Sequence, residues 1–498
     1  MTKCRIRSEF GDFQTPSDLA DSVCALLLGL GISPTAVLEP TCGRGSFLCA
    51  AAKTFTNAQK IVGVEINPEY SRQADEALRR LETGSSFDVI TADFFSVDWK
   101  PLLASLPSPM LVLGNPPWVT NSELGTYQGT NVPQKSNFQE HRGIDAITGK
   151  GNFDISEYIL LHAAEWLNNQ EAALAMLCKT AVARKVLRYA WKKHHGLSHA
   201  AIYLVDAKRH FSAAVDACLL VMRFQPHATN AECEIHADLL SPATSTFGFR
   251  RNRLVADISK YDRWSELEGG MRGTWRSGIK HDCANVMELA SEGRQYRNGF
   301  GNLVKLEETF LFPMLKSSDL GSLSEVEPRR FMLVPQEFVG QQTERIRQDA
   351  PLTWNYLNEH ATRLADRSSS IYSERPRFSI FGTGAYSFTP WKVAISGLYK
   401  KLAFRLVGPY RGRPVVMDDT CYFYPCRHEG QARMVFEMLH SRAAQEFLSS
   451  LVFWDEKRPI TAEILNRLDL TELAKELGIA EEFSQATIDA CGAQKMLF

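Results

Sequence analysis

No apolar run in the 498-residue sequence approaches the roughly 18 residues that a spanning helix needs, so no membrane helix and no membrane partner are expected. The opening stretch MTKCRIRSEFGDFQTP has no long apolar core behind its basic residues, so secretion is not expected either. An excess of charge of one sign is also missing: 56 Lys plus Arg stand against 57 Asp plus Glu, for a formal net charge of -1. That excludes a chain that coats nucleic acid indiscriminately, although such a sum does not exclude a local basic face. The eleven cysteines never reach a four-ligand spacing, so no metal site is expected and reduced, cytosolic thiols are the simplest reading. No solenoid-period repeat and no coiled-coil heptad pattern are present.

What is present is globular composition, 44% hydrophobic and 23% charged, in a chain long enough for two or three domains. Helix-like and strand-like segments alternate over the first 225 residues. Asp18 to Leu30 has a helical rhythm, AVL at 36–38 and KIVGVE at 60–65 read as strands, and Asn67-Pro68 caps a helix running to Leu81. FDVITADF, MLVLG and CLLVMRF supply further strands, which predicts an α/β fold with a doubly wound, mostly parallel sheet. After Phe224 the texture changes. The expected division is an α/β domain over 1–240, a second mixed α+β domain over 241–430 and a helical segment over 431–498.

The first chemical signal is Glu39-Pro40-Thr41-Cys42-Gly43-Arg44-Gly45, between a strand and a helix. Two glycines there allow a tight turn and a close approach of ligand to backbone. Glu65 ends the next strand, where a carboxylate can accept both hydroxyls of a ribose. The third glycine of a dinucleotide fold and the GK[ST] ending of a phosphate loop are both missing, which favours a nucleoside ligand without pyrophosphate. Asp93-Phe94 offers a carboxylate for an adenine amino group and a ring to cover it, or a simple turn. Asn115-Pro116-Pro117-Trp118 follows the strand MLVLG. Consecutive prolines stiffen such a loop, presenting the Asn115 carboxamide and the Pro116 carbonyl as neighbouring acceptors beside an aromatic ring.

With these motifs in place the sequence resembles the amino-methylating DNA methyltransferases, which carry a methyl group from S-adenosyl-L-methionine to adenine N6. NPPW matches their [DNS]-P-P-[YFW] loop, TCGRGSF the cofactor loop, VEINP the ribose strand and ADF the adenine contact. The order of the motifs, with Gly11-Asp12-Phe13-Gln14-Thr15-Pro16 in front, is that of the gamma subgroup, which includes the modification enzymes of type II restriction systems. The resemblance covers residues 9–225. It implies that Thr15, Pro16, Glu39, Pro40, Thr41, Cys42, Gly43, Gly45, Glu65, Ile66, Asp93, Phe94 and Asn115 hold the cofactor. It further implies that Asn115, Pro116, Pro117 and Trp118 act on a target adenine flipped out of the duplex. Trp118 would stack on one face of that base, and Phe211, otherwise an ordinary core residue, on the other.

Double-stranded DNA is then the expected partner. The polar stretch 121–152 reads as a flap or a plain surface loop, with Lys135, His141, Arg142 and Lys150 for phosphates; Asn152 and Asp154 are alternatively part of the fold's next motif, near the cofactor or target base. In the second domain Arg250, Arg251, Arg253, Arg272, Arg276 and Lys280, then Arg375, Arg377, Lys392, Lys400 and Lys401, are candidates for DNA contact among interleaved aromatics. A monomer in the cytoplasm, nucleoid-associated when bound to DNA and paired in function with a separate restriction endonuclease, completes the expectation. An RNA or protein-amide N-methyltransferase, or a DNA-binding protein with a vestigial site, are the alternatives.

Overall fold

The computed structural model describes residues 13–119, 154–269, 275–321 and 328–492, with side chains as far as residue 486. The chain divides into two units, Met1–Asp257 and Ile258–Phe498.

The first unit starts with α1 (Ser17–Gly29), β1 (Ala36–Glu39), α2 (Ser46–Thr54), β2 (Lys60–Glu65), α3 (Pro68–Arg79) and β3 (Ser86–Thr91). It continues with α4 (Trp99–Ala104), β4 (Met110–Gly114), α5 (Ile155–Trp166), β5 (Ala172–Lys179), α6 (Thr180–Lys192), β6 (Leu197–Val205), α7 (Ala207–Phe211) and β7 (Ala217–Phe224). Strands β8 (Glu232–His236), β9 (Ala243–Arg250) and β10 (Arg253–Val255) close it. All ten strands form one sheet in the order β10-β9-β8-β6-β7-β5-β4-β1-β2-β3. The half from β5 to β3 is parallel, and β7 runs antiparallel to both its neighbours. The expected α/β sheet is what forms.

The reason lies in the composition of the strands. AVLE, MLVLG and ACLLVMRF are buried along nearly their whole length, because helices cover both faces and leave no alternation to express. The edge strand β3, SFDVIT, is half exposed. Helix α3 begins where Asn67 Oδ1 accepts the Glu69 and Tyr70 N–H groups, at 2.9 and 3.4 Å, with Pro68 in the first turn.

The structure adds strands that the sequence reading left out. β6 pairs with β7, and β8 joins β6 in parallel, Ala201 opposite Glu234. The β8–β9 hairpin carries the sheet past residue 240, so the contact boundary falls at 257/258. The segments ECEIH and ATSTFGFR are only partly buried, so their polar residues hide the strand signal.

In the second unit the strands are β11 (Arg276–Ser277), β12 (Glu288–Glu292), β13 (Gln295–Arg297), β14 (Leu303–Val304), β15 (Leu311–Leu315), β16 (Arg330–Leu333), β17 (Trp391–Ser396), β18 (Arg405–Val407), β19 (Val416–Met417) and β20 (Cys421–Cys426). They build a four-stranded sheet, β11-β20-β17-β18, and a six-stranded one, β14-β13-β12-β16-β15-β19. Met314, Leu333, Leu357 and Val416 lie in one fully buried core of this unit. Helices Glu429–His440, Arg442–Leu451 and Leu470–Glu476 follow. No described helix is long and apolar enough to cross a membrane.

Candidate functional site

Three side-chain oxygens at one edge of the first sheet are buried and have no hydrogen-bond partner among the described residues: Glu39 Oε2, Thr41 Oγ1 and Asn115 Oδ1. Buried polar atoms are normally paired, so orphans gathered where adjacent parallel strands end point to a ligand. Glu39 ends β1, Thr41 lies in the loop after it, and Asn115 follows β4, which pairs directly with β1.

The loop between β1 and α2 is strapped to the end of β2. Cys42 N–H donates to the Val64 carbonyl at 2.8 Å, and Gly45 N–H donates to the Cys42 carbonyl at 2.8 Å. Glu65 Oε2 accepts from Gly43 N–H at 2.8 Å, and its Oε1 accepts from Asn67 N–H at 2.8 Å. The carboxylate is thereby oriented by backbone donors on two loops, and Ile66 beside it is 47% exposed, an apolar contact open to a ring. Burial, and then the nearby charge of Glu65, hold the Glu39 carboxyl well above the usual carboxylate range. Burial likewise pushes the Cys42 thiol up, so Cys42 is a wall residue and not a nucleophile.

Gly45 has φ +82°, and a Cβ there would lie 2.9 Å from Ala74 Cβ. Gly45→Ala is therefore expected to cost about 2 kcal/mol of stability through strain and crowding. It should also weaken cofactor binding, and a thermal melt paired with a cofactor titration checks both. Gly43 has φ +53°, and a Cβ there would meet Gln14 Oε1 at 2.7 Å. Gln14 Oε1 also accepts from Arg44 N–H at 3.1 Å, which ties the segment before α1 to the glycine loop. Thr15 and Pro16 stand next to it at the start of α1.

Asn115 is oriented from the same segment. Its Nδ2 donates to the Phe13 carbonyl at 3.0 Å, which turns Oδ1 away as the free acceptor. Asp93 Oδ1 accepts from Phe95 N–H at 3.1 Å in a tight turn after β3. Phe94 departs from the expectation. Its ring is 7% exposed and packs against Phe95, Trp99 and Trp166, because the Trp99 indole N–H donates to the Phe94 carbonyl and draws this cluster together. Phe94 anchors the turn instead of offering a free face.

The expected pair of base walls is likewise corrected. Trp118 and Phe211 touch edge to face, centroids 5.2 Å apart at 71°, and Phe13 lies 5.7 and 6.1 Å from them. The three rings bury one another, so they form a single aromatic cluster and not two parallel walls.

Lys392 is corrected as well: it is 1% exposed inside the second unit, where its Nζ donates to the Thr389 carbonyl at 2.6 Å. It cannot meet a phosphate. Lys400 and Lys401 are exposed. Arg276 lies over the Tyr386 ring, Lys280 pairs with Asp282, Arg375 lies over Phe381, and Arg377 donates to Asn358 Oδ1. In the first unit Arg250 pairs with Glu232 at 2.5 Å, and Arg251 at φ +46° begins the turn that leads to Arg253. Lys135, His141, Arg142, Lys150 and Arg272, with the stretch 121–152, lie outside the described residues.

His281, Glu288 and Asp418 in the second unit are one cluster of metal-ligand type among the described residues. Lys316 Nζ sits 2.5 Å from Glu288 Oε1, and His281 Nδ1 accepts from Cys283 N–H, which leaves the ring proton on Nε2 beside Glu288. The Glu288 carboxylate is balanced by the Lys316 ammonium, and Asp418 Oδ1 accepts from the Thr420 N–H and hydroxyl.

A parallel sheet with a glycine turn after β1, a ribose-type carboxylate ending β2 and an NPPW loop after β4 define an S-adenosylmethionine-dependent methyltransferase. Residues 5–185 match the N-6 DNA Methylase family. A Type II methyltransferase of Nostoc sp., M.NspV, is 45% identical over 472 residues, covering 95% of this chain and 98% of its own length. A second, M.CvrRI of a Paramecium bursaria Chlorella virus, is 36% identical over 114 residues, 23% of this chain and 26% of its own. Among solved structures, the Type IIL restriction-modification enzyme MmeI in complex with DNA aligns at a TM-score of 0.46 and 12% identity, over 97% of this chain and 76% of that one. The chain belongs to the Type II DNA methyltransferases, with residues 5–185 carrying the N-6 DNA Methylase match, and it uses S-adenosylmethionine.

Proposed function

We propose that the chain methylates N6 of adenine at one short sequence in duplex DNA, with the target base rotated out of the helix. The observation that carries this reading is the Asn115 amide, whose Nδ2 is spent on the Phe13 carbonyl and whose Oδ1 is buried and unpartnered among the described residues. Adenine N6 is a poor nucleophile because its lone pair is shared with the ring. Asn115 Oδ1 and the Pro116 carbonyl accept its two hydrogens, which favours sp3 character and frees the lone pair for attack. When bound, S-adenosylmethionine supplies a methyl group already activated by positive charge on sulfur. Glu65 and Asp93 are the acceptors suited to its ribose and adenine, and Thr41 and Glu39 supply buried polar atoms for the remainder.

The second unit reads the target sequence in this proposal, with Arg276, Lys280, Arg375, Arg377, Lys400 and Lys401 as contacts. The enzyme acts as a monomer, since one target base is modified per event. It works on nucleoid DNA in the cytoplasm, alongside a separate nuclease of the same specificity.

The test is transfer of radiolabelled methyl to unmethylated duplex DNA of high sequence diversity, with long-read mapping of the product. Label on adenine N6 within one short motif is expected. Label on cytosine, or tight cofactor binding with no label on DNA, would overturn the proposal and move the search to RNA or protein amides.

A further inference from the structure

Trp118 is gripped at both ends by one strand. Its indole N–H donates to the Leu177 carbonyl at 3.4 Å, and its own carbonyl accepts from Lys179 Nζ at 3.2 Å; both partners are among the last three residues of β5. The Lys179 ammonium is in turn held by Asp154 Oδ2 at 2.6 Å. Asp154 is not free to follow a moving lysine. Its Oδ1 accepts from Ser156 N–H at 3.0 Å and from Ser156 Oγ at 2.6 Å, which fixes it as the cap of α5, and its side chain is 8% exposed.

We propose that Lys179, held by Asp154, is a positioning residue that sets the Asn-Pro-Pro-Trp loop for methyl transfer. The inference rests on the function proposed above. A purely architectural tie across this point already exists, because Ile155 N–H donates to the Val119 carbonyl at 2.9 Å and joins α5 to the end of the loop. The ammonium adds something else: it pulls on the carbonyl that follows the Trp118 ring. With the indole N–H pinned to the same strand, the direction of that carbonyl sets the ring plane and the path of the peptide from Asn115 onward. Lys179 touches no reacting atom in this assignment. It acts through the loop, where a displacement of about 1 Å in the groups that hold a reactant can cost about 100-fold in rate.

The experiment compares full-length wild type, Lys179→Met, Lys179→Arg and Asp154→Asn on duplex DNA carrying the mapped target. A parallel duplex has 2-aminopurine at the target position, whose emission rises when the base leaves the stack. For Lys179→Met, kcat is expected to fall about 100-fold while KM for S-adenosylmethionine stays within about twofold, and the 2-aminopurine emission rise is expected to shrink. Lys179→Arg keeps the cation and is expected to recover about a tenth of wild-type kcat or more. Asp154→Asn should fall between the two. A folded Lys179→Met enzyme with wild-type kcat, or with a raised cofactor KM at unchanged kcat, overturns the assignment. Should Lys179→Met fail to fold, wild-type kcat in both Lys179→Arg and Asp154→Asn overturns it equally. Those results leave DNA methylation standing, whereas a wild-type enzyme that labels no DNA removes the proposed function and this inference together.

Discussion

Asn115→Ala should lower the single-turnover rate of methyl transfer to DNA by about 1000-fold, with affinity for S-adenosylmethionine changed no more than about threefold. The asymmetry follows from how the two ends of the amide are used. Nδ2 is committed to the Phe13 carbonyl at 3.0 Å, and Oδ1 is buried with no partner among the described residues, so the interaction that alanine deletes is one made to the reacting nitrogen. Asn115→Asp separates the two roles. The carboxylate keeps an acceptor for the amino group but cannot donate to Phe13, and it sets a negative oxygen against a carbonyl. Its rate is therefore expected between those of wild type and Asn115→Ala. Equal loss in both variants would mean that the Phe13 bond, and not the acceptor, carries the effect. Rapid-quench measurement with radiolabelled cofactor decides between them.

What could be read from the sequence follows from what kind of signal each element leaves. The parallel half of the sheet was legible because strands such as MLVLG are buried on both faces and appear as unbroken apolar runs. The hairpin β8–β9 was not, since half-exposed strands tolerate Glu, Thr and Ser and lose that contrast. Among site residues, Gly43, Gly45 and Glu65 were visible because a tight turn and a strand-end carboxylate need particular residue types at particular places. Phe13 and Lys179 act through geometry instead. Phe13 orients Asn115 with a backbone carbonyl that any residue would supply, and its neighbourhood in the GDFQTP motif was the one available hint. Lys179 leaves no local signal, because its partners, Trp118 and Asp154, are 61 and 25 residues away in the chain. The misplacement of Lys392 has the same origin. A lysine in an aromatic, turn-rich segment reads as surface charge until the strand pairing puts it inward.

That buried lysine carries the other large effect. Lys392 lies on β17 with its Nζ 5.7 Å from the Phe423 ring centre, and burial pushes its pKa down from 10.5 to about 7. Between these two values the unfolded chain holds a proton that the folded chain does not, so stability rises with pH across that window. Below pH 7 both states are protonated and the folded unit bears the whole cost of a buried ammonium, on the order of 5 kcal/mol from the shift. Lys392→Met keeps the length and apolar stem of the side chain and removes the titration. It is expected to raise the melting temperature of the second unit at pH 6 to 7, by an amount that shrinks as the buffer approaches pH 10. The partner left behind, the Thr389 carbonyl, subtracts about 1 kcal/mol at every pH and so does not alter the slope. A gain independent of pH would mean that packing and not charge sets the cost, and a loss at all pH values would mean that the hydrogen bond to Thr389 outweighs desolvation. Methyl transfer by the variant should match wild type at 25 °C, because a side chain sealed inside the second unit meets no phosphate.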